Sequence, residues 1–153
     1  MSKIQDRLKS LGIELPPPPP PGGNYVGAVR FGSLVYLSGH GPLQVDGTYL
    51  KGKVPDQISS EDAYKAARLT GLNLLATLKA EIGALDQVKQ VIKVLGMVNA
   101  APDFEGHPQV INGFSDLMVE VFGEKGRGAR SAVGMGSLPG QMPVEVEMIL
   151  EVQ

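Results

Sequence analysis

The order of the periodic segments predicts an α+β fold, a single mixed β-sheet with two helices packed on one face. Three observations carry it. Two stretches, about residues 60–82 and 108–122, repeat apolar side chains at helical spacing, while alternating or β-branched runs stand before, between and after them. The 153 residues, 42% of them hydrophobic, suit one domain with a real core. Residues 1–23 read as an N-terminal helix and polyproline arm, and 24–153 as the folded domain.

Ile4, Leu8 and Leu11 recur at i, i+4 and i+7 with Gly12 behind them, which predicts a short amphipathic helix over residues 2–11. Pro16 to Pro21 is unbroken, a polyproline II spacer of roughly 18 Å at about 3.1 Å per residue. It reads as a stiff intramolecular arm, with a ligand for an aromatic groove as the other reading. Tyr25 to Phe31 and Leu34 to Ser38, joined by Gly32-Ser33, have the pattern of a β-hairpin. Leu34, Val35, Tyr36 and Leu37 are apolar on both parities, so cover is expected on both faces. Gly39-His40-Gly41-Pro42 breaks the strand, Asp46-Gly47 marks a turn, and a weak strand is expected near Tyr49 to Lys53.

Ser59-Ser60-Glu61-Asp62 opens a helix with a capping residue and early acids, and Gly83 closes it. Its inner stripe is Ala63, Ala67, Gly71, Leu74, Leu78 and Ile82, with Leu75 alongside, and the small residues permit close packing. Val88 to Val98 is β-branched and reads as a strand. A second helix runs from about Pro108 to Phe122 with Gly123 as its stop, on a core stripe of Val110, Phe114, Leu117, Met118 and Val121.

Ala129 to Glu147 reads as a closing hairpin, two strand-like runs around a Gly/Pro turn. In the second run Val144, Val146, Met148, Leu150 and Val152 share one face, and Glu145, Glu147, Ile149 and Glu151 the other. In the first, Arg130, Ala132 and Gly134 alternate with Ser131, Val133 and Met135. If both runs cover the same core, Arg130 and Glu145 emerge together on the open face. An ion pair between Arg130 and Glu145 or Glu147 is one reading of that placement; a guanidinium fork for a ligand carboxylate is the other. The sheet face left without helices predicts a symmetric oligomer closing over it.

Composition narrows the partners. A net charge of −2 and an isoelectric point near 5.7 argue against a sequence-independent grip on nucleic acid, which needs clustered Lys and Arg. With no cysteine and two histidines, disulfides and thiol nucleophiles are excluded and a transition-metal centre has few ligands. Gly126-Arg127-Gly128 lacks the context and ending of a phosphate loop. Charges run throughout residues 1–13 and no apolar run is long enough to span a bilayer, so a soluble, unprocessed, cytoplasmic protein is expected, with a small ligand rather than a membrane or nucleic acid as partner.

Tyr25-Val26 leading to Gly32, then Leu37-Ser38-Gly39, Arg130-Ser131-Ala132-Val133, Leu138-Pro139 and Val144-Glu145-Val146-Glu147 resemble the RidA/YjgF family, also known as endoribonuclease L-PSP or chorismate-mutase-like. The resemblance covers about residues 24–152. It implies a trimeric barrel assembly with clefts between subunits. The implied activity is hydrolysis of 2-imino acids or their enamine tautomers, of the 2-aminoacrylate type, to 2-keto acids and ammonia. By motif position Arg130 would clamp the substrate carboxylate and Glu145 would hold or activate the attacking water. Tyr25, Ser38, the backbone of Gly39, Asn112 and Ala132 would line the pocket. Ala132 stands where deaminase members often carry Cys, and His40 where they often carry Gln. The chemistry calls for no cofactor or metal. A non-catalytic sensor of small carboxylates is the alternative reading, and RNA cleavage a third.

Overall fold

Strand order in the sheet departs from strand order in the chain. In the computed structural model, which describes residues 2–153, the elements are α1 (Lys3–Ser10), β1 (Ala28–Phe31), β2 (Leu34–His40), α2 (Ser60–Ile82), β3 (Val88–Asn99), α3 (His107–Phe122), β4 (Ala129–Met135) and β5 (Val144–Val152). They form one sheet ordered β1-β2-β5-β3-β4. All neighbours are antiparallel except β3 and β4, which run parallel, as a crossover through α3 requires. The mixed sheet is as expected. With the short α1 there are three α-helices among the described residues.

The anticipated hairpin between β4 and β5 does not form, because β3 lies between them and pairs with both. Residues 136–143, with a short 3-10 turn at Pro139–Gln141, carry the chain across the end of β3. Alternation in each run is satisfied by β3, so it held no information on whether the two runs touch. The weak strand near Tyr49 to Lys53 is likewise absent: that region makes only single bridges, Leu43 to Tyr49 and Val54 to Ala100.

Both long helices cover the same face. On α2, Ser59 accepts a hydrogen bond from the Asp62 amide at 3.1 Å and so caps the helix start. Every member of both predicted stripes is buried. The helices approach closely at two glycines. A Cβ on Gly71 would meet Leu117 at 2.8 Å, and one on Gly113 would strike the carbonyl oxygen of Tyr64. Beneath them Val35, Leu37, Val94, Val98, Val144, Val146, Met148 and Leu150 complete the core.

Cover on the second face of β2 is not supplied by this chain. Val35 and Leu37 are buried, but Tyr36 is 46% exposed, and Val29, Phe31 and Val133 stand exposed on the same side. Among the described residues no helix is long and apolar enough to cross a membrane.

At the N-terminus α1 is held by its own small set of contacts. Leu8 is buried, Ser2 Oγ bonds to Asp86, and the Ile4 amide donates to Asp86 at 3.2 Å. Arg7 Nε donates to the Glu120 carbonyl at 2.9 Å. From that anchor the proline run leads back toward the start of β1.

Candidate active site

The register of the central strands separates the two charged residues. Glu145 pairs with Met97, which pairs with Val133, so the Glu145 side chain shares the open face with Val133. Arg130 pairs with Val94, which pairs with Met148, so Arg130 shares the helix-covered face with two core residues. The expectation that both emerge on the open face is therefore corrected. Opposed residues in neighbouring strands always share a face, and inserting β3 fixes β4 in the register that turns Arg130 inward. Neither Glu145 nor Glu147 pairs with it.

A cavity of about 750 Å3 opens beside Glu145. Its polar wall comes from the end of β2. The pairing of β2 with β5 shifts between Leu37 and His40, a bulge of the sort that re-aims a strand beside a site. There Gly39 makes room for Glu145: a Cβ on residue 39 would meet Glu145 Oε2 at 2.7 Å. Tyr25, Tyr49, Met142 and the prolines Pro19 to Pro21 supply much of the remaining wall.

Buried polar groups on α2 hold the bulge in place. His40 Nδ1 lies 2.6 Å from the Ser38 carbonyl, which can only accept, so Nδ1 carries the proton. Nε2 then accepts from Thr77 Oγ1 at 2.8 Å. Burial pushes the His40 pKa below its ordinary value, outweighing the carbonyl contact, and the ring is neutral. One turn earlier, Asn73 Nδ2 donates to the carbonyls of Gly41 and Leu43 at 3.0 and 3.1 Å. His40 is thus a positioning residue for the glycines on either side.

Glu145 is half-buried, and its pKa is raised, first by desolvation and then by the neighbouring Glu147 carboxylate. Such a group exchanges protons nearer to neutral pH than a free glutamate does. Lys51 is the one lysine or arginine among the residues lining the cavity. Among the described residues no group of three or more His, Cys, Asp or Glu is arranged to hold a metal ion.

A second polar centre lies on the other side of the sheet. Arg130 Nη1 donates to Asn112 Oδ1 at 2.7 Å and to Ser115 Oγ at 3.1 Å. Asn112 and Ser115 are one turn apart on α3, so they aim the guanidinium together. Nε and Nη2 make no hydrogen bond among the described residues, so their donors are unused within the chain.

Of the residues singled out from the sequence, Tyr25, Gly39 and Glu145 line one cavity, while Arg130 and Asn112 meet each other elsewhere. Ala132 packs against the core beside Arg130's strand position. Ser38 does not line that cavity within one chain, and its hydroxyl donates to the Val26 carbonyl at 2.6 Å. Sequence reasoning missed Tyr49, Met142, Asn73, Thr77 and the proline wall. The polar Asn73 and Thr77, four apart and following buried Thr70 on the inner side of α2, were the available signal.

Comparison with known proteins agrees with this architecture. Residues 5–149 match the family described as "YjgF/chorismate_mutase-like, putative endoribonuclease". Protein TCP17 of Trypanosoma cruzi is 37% identical over 150 residues, covering 97% of this chain and 94% of that protein. An Agrobacterium tumefaciens protein of unknown function is 41% identical with a TM-score of 0.89, covering 98% of this chain and 94% of its own. A Shewanella oneidensis protein described as a putative endoribonuclease is 32% identical with a TM-score of 0.92, covering 97% and 99%. The family match begins within α1, so it takes in the proline arm that the motif resemblance had left outside. The chain is a member of the YjgF/RidA family.

Proposed function

We propose that this protein hydrolyses 2-imino acids, or their enamine tautomers, to 2-keto acids and ammonia in clefts completed between copies of the chain. The observation that carries the reading is Glu145, a half-buried carboxylate with a raised pKa on the wall of a large cavity. It has the placement and basicity for moving protons on and off a water. Arg130 offers the complementary part, a fork whose Nε and Nη2 donors, unused within the chain, suit a carboxylate.

Within one chain the two parts are two strands and three residues apart, roughly 10 Å in each direction, and face opposite ways. A small acid cannot touch both. A trimer in which the Arg130 edge of one copy meets the Glu145 cavity of the next, covering the exposed Tyr36 and Phe31 face, would unite them.

In such a cleft the fork holds the carboxylate and turns C2 toward the water beside Glu145. The substrate reacts as its iminium form: the water oxygen bonds to C2, the C=N π pair moves to nitrogen to leave a neutral amine, and Glu145 takes the water proton. The protonated Glu145 next gives its proton to the amine. Ammonia leaves as the C–N bond breaks, the hydroxyl oxygen forms the keto group, and the hydroxyl proton returns to Glu145 and then to solvent or ammonia. Water and iminium are thus converted to ketone and ammonium without an external reductant or oxidant.

The test is release of keto acid and ammonia from a 2-imino acid generated in situ by an amino-acid oxidase. Acceleration by the wild-type protein, lost in both Glu145→Gln and Arg130→Ala, is expected. No acceleration with any imino acid would overturn the reading, and stabilisation by carboxylates without turnover would favour a sensor instead. Ribonuclease activity, suggested by the description of the Shewanella relative, has less support in a cavity whose wall holds one lysine and no arginine.

A further inference from the structure

The cavity has a carboxylate end at Glu145 and a second end built on the Met142 side chain and the Tyr49 ring, with Thr48 and Lys51 also in the lining. Gly39 and Gly41 both face it, two residues and so about 7 Å apart along the chain. Glu145 lies over Gly39. Over Gly41 lies Met142, whose sulfur a Cβ would strike, with the Tyr49 ring 3.4 Å from the same position. Pro19, Pro20 and Pro21 also wall the cavity, a segment with little conformational freedom left to lose on binding.

The proline wall is secured from both sides. Upstream, α1 is docked through Leu8 and Asp86. Downstream, the amide of Gly22 donates to the Tyr25 hydroxyl at 3.0 Å, which joins the arm to the aromatic wall. A three-carbon acid with its C2 facing Glu145 and its carboxylate on the Arg130 fork of a neighbouring copy would leave this end unfilled, whereas about 750 Å3 falls in the range that encloses drug-sized ligands, roughly 300–1,000 Å3.

We infer that the Pro19–Pro21, Tyr49 and Met142 end of the cavity is a side-group subsite, and that the protein takes acids of the 2-imino and 2-keto class bearing a bulky branched or aromatic side group in preference to three-carbon ones. The reaction assigned to such an acid rests on the function proposed above; the preference itself is a property of binding. Each methylene buried there is worth about a fourfold gain in affinity.

Isothermal titration of the full-length protein with 4-methyl-2-oxopentanoate, phenylpyruvate and pyruvate tests the subsite without requiring turnover. The two bulky acids should bind at least about tenfold more tightly than pyruvate. That ratio should fall toward unity when Pro19→Gly, Pro20→Ser and Pro21→Gly are combined, and should fall in Tyr49→Ala, with circular dichroism confirming the fold of each. Equal affinity for pyruvate and the bulky acids, no measurable binding of either bulky acid at millimolar concentration, or an undiminished ratio in both variants would overturn the inference. If the titration succeeds and the imine assay shows no acceleration, the deaminase reading fails and the subsite stands.

Discussion

The Glu145 carboxylate rests against the backbone of Gly39, close enough that a Cβ on residue 39 would come within 2.7 Å of Oε2. The missing Cβ leaves room for the carboxylate there, and the backbone is not left-handed. Gly39→Ala should therefore displace the carboxylate while leaving the core untouched. An ångström of misplacement can cost about a hundredfold in rate, so kcat for imino-acid hydrolysis should fall by that order while the melting temperature changes little. Unaltered kinetics would show that the Glu145 position is immaterial.

Asn112 and Ser115 share a single nitrogen of Arg130, which makes them positioning residues for the fork. Asn112→Ala should raise KM for an imino acid more than it lowers kcat, because the guanidinium keeps its charge and loses its aim. Arg130→Lys, which keeps charge and loses the planar fork, should have a much raised KM. A lysine variant with wild-type KM would contradict bidentate holding.

Glu145 also predicts a pH signature in stability. Its folded pKa lies above the ordinary value because the folded state desolvates the charge, so it disfavours folding once ionised. The stability associated with its protonated form is fully present below the unfolded pKa, about 4.3, and is lost as pH rises through the higher folded pKa. Glu145→Gln should consequently melt higher than wild type at pH 8, with the gap closing toward pH 4. Thermal melts across that interval check the sign, and a variant destabilised at pH 8 would refute it.

Helix packing gives a prediction independent of function. A Cβ at Gly113 would strike the Tyr64 carbonyl of the neighbouring helix, and backbone cannot yield as a side chain does. Gly113→Ala should cost about 1–3 kcal/mol, the usual penalty for overpacking, despite alanine's better helix propensity. Denaturant titration measures it. A stabilised variant would show that the helices separate freely.

Helical stripes, caps and the alternation of β5 were legible because each depends on neighbours a few residues away. Ser59 and Gly83 bound α2 as their chemistry suggests, and Val144 to Val152 bury alternate residues. Pairing was not legible: nothing within residues 129–147 discloses that β3 inserts between β4 and β5, and that insertion decides which way Arg130 points. The same holds for the cavity. Glu145 and Tyr25 could be read from motif positions, but the contribution of Pro19 to Pro21 depends on where a distant helix docks.

That docking makes the cleft mechanically separable from the fold. Leu8, with Ile4, Ile13 and Leu15 packed beside it against the core, retains α1. The sheet-and-helix core does not depend on the prolines that wall the cavity, so any opening of the arm would proceed by release of that latch while the core stays shut. Hydrogen exchange would not see the arm itself, since residues 16–21 carry no amide proton. The amides of Leu11, Gly12 and Ile13, bonded to carbonyls of α1, would report the latch. Their exchange should slow when a bulky acid fills the cavity, because a ligand gripped by the prolines must hold the helix down.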